Sequence, residues 1–215
     1  MPKGKIYSRR TNSRREKPIV LIVPEGTETE KLYFQHFNSR EKRIRVEIVE
    51  NTSGGAKTDY SSLLKKAIAL KKKLLLSAAK GDSVWVVADG DVDYNTPGSL
   101  ESKDNALVEA RTMAEKSGVT ILISNPCFEL WYYLHGAYST GFMRDYQSVI
   151  DKFPSSLTGY AKNKDVFDLL SDQTDIAIAR ARQLESFHKD NGETIPFSLS
   201  VNPFSEVFRL VEMIK

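Results

Sequence analysis

Glu25 closes the stretch IVLIVPE, and Asp89, Asp91 and Asp93 alternate through VVADGDVD, each group arriving where an apolar run gives way to turn residues. Carboxylates spaced this closely repel one another and raise each other's pKa, so the string calls for a compensating cation or for open solvent. Asn125 ends a third such run, VTILISN, and Glu129 follows within SNPCFELWYYLH. Cys127 is the only cysteine, and His36, His135 and His188 are scattered. Oxygen donors without thiolate clusters or grouped imidazoles match Mg²⁺ or Mn²⁺ rather than zinc. Ions of that kind activate a water and neutralise charge on a phosphate undergoing in-line displacement. Each residue also has a plainer use: an Asp after a strand is commonly a turn or capping residue, and Asp93 can simply open the loop YNTPGS. Their coincidence, more than any one of them, raises the metal reading.

The elements that must position these groups follow from hydrophobic pattern. The apolar run Ile19–Val23, ended by Pro24 and Gly26, reads as a buried parallel strand. TETEKLYFQHF then predicts a helix capped by Thr27, with Glu30 as its capping-box partner and Glu28 favourable near the dipole. IRVEIVE alternates as an edge strand does, and a long helix is expected from about Asp59 to Ala79. SVWVVAD and VTILISN are two more strands, separated by a helix around Glu101 to Ser117. Strands alternating with helices predict a mostly parallel sheet covered on both faces. Its strand ends share one edge, so Glu25, the three aspartates and Asn125 converge on one crevice. Pro126 suits the first turn of a helix that Asn125 caps, with Glu129 near its positive end. The aromatics Phe128, Trp131, Tyr132 and Tyr133 recur at core spacing. Beyond Asn125 no further strong strand is expected, only helices. The organisation read from the chain is therefore a basic arm at 1–17, an α/β core at 18–125 and an α-helical C-terminal part at 126–215 packed on that core.

Composition narrows the function classes. No apolar stretch approaches the roughly 20 residues of a membrane helix and no secretory signal opens the chain, so a cytoplasmic protein without membrane contact is expected. The first 17 residues hold seven Lys or Arg against Glu16 alone, a net +6 within a chain of net +3 that leaves −3 for the remainder. Arg9, Arg10, Arg14 and Arg15 of this arm, with Lys71, Lys72 and Lys73, are the candidates for holding a phosphate backbone. The alternative use of the arm is solubility. TSGGAKTD resembles a phosphate loop but fails its spacing, since Ala56 precedes Lys57 and Asn51 stands where the first Gly belongs. The arm and an edge strand would permit a homodimer.

PEGTETEKLYF, VVADGDVD, SNPCFELWYYLH, GYAKN and the closing PFSEVFRLVE together resemble the RloB-like proteins of bacteria, a group associated with phage defence and restriction loci. The resemblance runs from about Ile19 to Ile214, and Ser-Asn-Pro-Cys-Phe-Glu is its most specific element. That family in turn looks like a branch of the Toprim superfamily. The resemblance implies a Toprim-like (Rossmann-like) α/β fold in which Glu25, Asp89 and Asp91 hold Mg²⁺ or Mn²⁺ and Asp93 extends the set. It also implies Glu30 as the second acid of the EGxxTE pattern and Lys162 of GYAKN as a stabiliser of developing phosphate charge, with Glu129 as a further ligand or support. Pro24 departs from the pattern, in which a residue with a backbone N–H is commoner, and no ATPase segment is recognised here. The expectation is a metal-dependent nuclease on DNA or RNA, with Glu25 and Lys162 closest to the chemistry and any ATP-driven control coming from a separate partner. Its rival is a binding module that holds nucleic acid or an ATPase without chemistry. Nucleotidyl transfer would use the same metals but needs a triphosphate site that the sequence lacks.

Overall fold

A computed structural model describes residues 17–38, 42–50 and 59–215. The arm residues Arg9, Arg10, Arg14 and Arg15, and the glycine turn with Lys57 and Thr58, lie outside the described residues.

The chain runs through β1 (Ile19–Pro24), α1 (Thr29–Phe34), β2 (Arg45–Ile48), α2 (Tyr60–Lys73), β3 (Ser83–Asp89), α3 (Ser99–Ser117) and β4 (Thr120–Asn125). It continues through α4 (Glu129–Gly136), α5 (Tyr146–Ile150), α6 (Phe167–Leu170), α7 (Thr174–Asp190), β5 (Phe204–Ser205) and α8 (Val207–Ile214). The sheet order is β2-β1-β3-β4-β5, with four parallel strands and an antiparallel β5 at the edge. This is the mixed α/β, mostly parallel architecture that the alternating pattern predicts.

Strand residues alternate between two cores because successive side chains of a strand point to opposite faces. Val20, Ile22, Val87 and Leu122 face α1, α4, α7 and α8. Leu21, Val23, Val86, Ala88, Ile121 and Ile123 face α2, α3 and the segment around Phe197–Phe204. Phe128, Trp131, Tyr132 and Tyr133 are all core residues; Phe128 and Trp131 pack edge-on against Tyr33, Phe128 also against Phe34, and Tyr132 meets Tyr33 at a tilt. No helix among the described residues is long and apolar enough to cross a membrane.

Several boundaries differ from the sequence pattern, each for a local reason. Helix α1 starts at Thr29 with Glu28 at its N-cap and no side-chain cap, so Thr27 is not the cap. The Glu30 carboxylate reaches back instead to the N–H of Gly26. Helix α2, capped by Asp59 through Ser62 N–H, stops at Lys73 rather than Ala79. Leu75 adopts a left-handed φ of 53°, and the N–H groups of Leu75 and Leu76 close on the carbonyls of Lys72 and Lys71. That is the Schellman way of ending a helix, here without the usual glycine. Asn125 does not cap a helix: α4 begins only at Glu129, after a cis Asn125–Pro126 bond. The Asn125 amide instead donates to the carbonyls of Leu199 (2.9 Å) and Val201 (2.7 Å). A strand beyond Asn125 does exist, since Phe204 pairs with Asn125 and Ser205 with Ser124. Two residues are too few for alternation to reveal. Buried Glu206 fixes this strand, accepting from Ile123 N–H (2.9 Å) and from Arg111 (3.2 Å).

Candidate functional site

The order β2-β1-β3 means that the chain leaves β1 toward one side and returns for β3 on the other, which opens a crevice at the carboxyl ends of these two strands. Glu25 follows β1 and Asp89 ends β3, so both stand at that crevice. Pro24 does not disturb the strand end: it stays in register with Val87, and Glu25 N–H donates to Val87 O at 2.9 Å. Glu25 Oε2 accepts from the backbone N–H of Asp89 at 3.0 Å. The hydroxyl of Tyr60, on α2, fastens the other side of the strand end by donating to Asp89 O at 2.8 Å.

Two further carboxylates enter from helix starts. Glu30, buried in the first turn of α1, accepts the Gly26 N–H at 3.0 Å. A Cβ on residue 26 would stand 2.3 Å from Glu30 Oε2, so only glycine lets the carboxylate fold over this turn. Glu129, the first residue of α4 and also buried, accepts the Tyr160 hydroxyl at 3.0 Å. Tyr160 lies 3.4 Å from Thr29 Oγ1, which donates to Lys162 O at 3.2 Å. The GYAKN segment is thereby tied to both α1 and α4, and Lys162 Nζ sits 4.3 Å above the Tyr146 ring.

The charges of these groups are mutually felt. Burial pushes the Glu30 carboxyl from its ordinary 4.5 up to about 7, and the Glu129 and Glu25 charges add to the rise. Burial also holds the Asp89 carboxyl well above its ordinary range, aided by Glu30, Glu25 and Glu129 and opposed by Lys162. Desolvation works against the charge on Lys162, but Glu129 and Asp89 outweigh it and raise the lysine. Cys127 is walled in beside Glu129, and burial, then the Glu129 and Asp89 charges, keep its thiol protonated.

The donor set suits a hard divalent cation. Asp89 Oδ1 is shut off from solvent with no hydrogen-bond partner, among three acidic neighbours and one lysine. A carboxylate oxygen so placed is costly unless a proton or a cation completes it. Asn125 Oδ1 is a second buried oxygen without a partner, and it crowds Gly90, where a Cβ would stand 2.4 Å away. Among the described residues, no three His, Cys, Asp or Glu side chains are already gathered as a ligand set. The carboxylates of Glu25, Glu30 and Glu129 are each held at the crevice by a protein donor.

The remaining candidates separate. Asp91 takes a left-handed φ of 41°, a conformation Asp tolerates better than most residues, and its carboxylate stands 3.6 Å from Lys103 Nζ. Lys103 also donates to Gly90 O at 3.1 Å, and no sequence motif pointed to it. Asp93 accepts from Asn95 N–H (3.0 Å) and from the Thr96 hydroxyl (2.7 Å), the ordinary arrangement of an Asx turn. Lys71 lies at the far edge of the sheet, donating to Ser117 O and Gly118 O just before β4 begins. Lys71 and Lys72 border a groove of about 720 Å³ with Leu75 and Lys116, and Lys73 ends α2 at the same edge, separated from the acidic crevice by the length of the strands. Tyr160, Thr29 and Cys127 are site residues that the spacing of acids did not reveal, although all lie in stretches the sequence already marks as unusual.

A family model described as RloB-like protein matches residues 20–214. No curated protein and no solved structure matches the chain.

Proposed function

The chain belongs to the RloB-like family, and from the acidic crevice it carries we propose that it is a metal-dependent nuclease acting on DNA or RNA. The observation that carries this reading is Asp89 Oδ1, buried without a hydrogen-bond partner where Glu25, Glu30 and Glu129 converge. Glu25, Asp89 and Glu30 would hold Mg²⁺ or Mn²⁺, with Glu129 as a further ligand. Asp91, exposed and beside Lys103, sits at the mouth. When bound, such an ion supplies a water of lowered pKa and neutralises charge on the scissile phosphate.

The protein's own groups do the rest. Glu25 is positioned by the Asp89 N–H to accept a proton from the attacking water, a role that needs only hydrogen-bond reach. Lys162, kept cationic by Glu129 and Asp89, faces the charge that develops on the phosphate. Tyr160 and Thr29 hold the Lys162 segment in place. Asp93, occupied with its turn, supports the loop rather than the ion. A place in defence against phage, a cytoplasmic setting and control by a separate ATPase accord with the family resemblance.

The rival reading is a non-catalytic module that binds nucleic acid or an ATPase partner. Calorimetric titration with Mn²⁺, compared between the native chain and Asp89→Ala, separates the two when run beside cleavage of mixed DNA and RNA. Binding and cleavage that both disappear in the variant support the nuclease. Cleavage that survives Asp89→Ala removes Asp89 from the chemistry, and a native chain that neither binds Mn²⁺ nor cleaves hands the case to the module.

A further inference from the structure

Phe142 is 56% exposed, although it belongs to one of the best anchored segments near the crevice. Its neighbour Met143 is fully buried, and both its N–H and its C=O are engaged by the Asn202 amide, at 2.8 and 2.9 Å. Residue 143 is pinned inward, while Phe142 and Arg144 on either side of it are exposed. The inner edge of Phe142 packs on Tyr94, with ring centroids 5.1 Å apart at 74°. Arg144 donates to the side chain of Asn95. Tyr94 and Asn95 belong to the loop that carries Asp91 and Asp93, and two residues beyond Arg144 the Tyr146 ring lies beneath Lys162. The segment 142–146 thus bridges the two arms of the acidic crevice, holding an exposed aromatic face and a guanidinium beside it.

We propose that Tyr94, Phe142 and Arg144 form a stacking platform for an unpaired base of single-stranded nucleic acid, next to the acidic crevice. The proposal rests on the nuclease reading for its purpose but not for its binding chemistry. A rigidly held aromatic loses little freedom when a base stacks on it, and Arg144 adds attraction to the neighbouring phosphate. A duplex offers no free base face to such a surface, so the platform selects single strands, loops or flipped bases. DNA and RNA share this chemistry.

Fluorescence anisotropy of a labelled 12-nucleotide strand, as DNA and as RNA, and of the matching duplex tests this with the full chain in Ca²⁺ buffer. Phe142→Ala should weaken single-strand binding about tenfold in whichever arm binds, and leave any duplex binding unchanged. Phe142→Trp should bind as tightly as the native chain and show added quenching of tryptophan emission, which also controls for folding. A Phe142→Ala chain that binds single strands as well as the native one overturns the platform, as do equal losses on duplex and single strand or a native chain that binds no single strand. Because the readout is binding, absence of cleavage with every metal would sink the nuclease reading and leave the platform standing.

Discussion

Glu25 Oε2 and the backbone N–H of Asp89 are joined at 3.0 Å across 64 residues of sequence. The bond locks the ends of the two central strands together and keeps two like charges in one crevice. Asp89 then has an oxygen with no partner, so the protein spends stability to keep an acid there.

Replacing that acid should therefore relieve the fold while removing a ligand of the proposed ion. Asp89→Asn is expected to raise the melting temperature of the metal-free protein by several degrees and to abolish Mn²⁺ binding. Differential scanning fluorimetry with and without Mn²⁺ reads both effects. A variant no more stable than the native chain would mean that Asp89 is not strained by its acidic neighbours.

Glu30 gives the pH dependence. Its folded-state pKa of about 7 lies above its ordinary 4.5, so its favourable contribution is complete below 4.5 and is lost as pH rises through 7. Between those limits the metal-free protein should lose roughly 3 kcal/mol relative to Glu30→Gln, an order-of-magnitude figure set by the size of the shift. Urea unfolding of both chains at intervals from pH 4.5 to 8 measures the difference. Parallel curves would contradict a raised Glu30.

Gly26→Ala tests the turn that holds Glu30. The added Cβ would stand 2.3 Å from Glu30 Oε2, so the carboxylate must leave the Gly26 N–H. Loss of that buried bond costs about 1 to 3 kcal/mol of stability, and Mn²⁺ affinity should fall at least tenfold by calorimetry. Unchanged affinity would take Glu30 out of the site.

Leu75→Gly should stabilise the chain. Leu75 is 74% exposed and holds a left-handed backbone, so glycine removes the strain while giving up little burial. The expected gain is about 1 kcal/mol in chemical denaturation.

Lys71→Gln with Lys72→Gln should leave the proposed cleavage and metal binding unchanged, because both lysines lie at the far edge of the sheet. A loss of cleavage would show that substrate wraps from one edge to the other.

Much of this protein was legible in its residues, because period determines the element and order determines the layers. A short continuous apolar run such as Ile19–Val23, ended by Pro24 and Gly26, reads as a strand buried on both faces, and strands alternating with helices produce a parallel sheet. That the acids after β1 and β3 share an edge follows from the same logic. Other features depend on contacts between segments far apart in sequence, which no local pattern records. Asn125 looked like a helix cap, but its side-chain NH₂ is anchored on the carbonyls of Leu199 and Val201 and its Oδ1 accepts from no helix N–H. Glu30 looked like a capping partner, but Gly26 offers its N–H without a side chain in the way. The sequence also does not show that Lys71 sits at the opposite edge of the sheet from the crevice, against the carbonyls of Ser117 and Gly118. The sequence by itself determined which residue types reach the strand ends. Only the tertiary structure decided which of them are desolvated together, because burial and distance, not spacing along the chain, determine how strongly charges are felt.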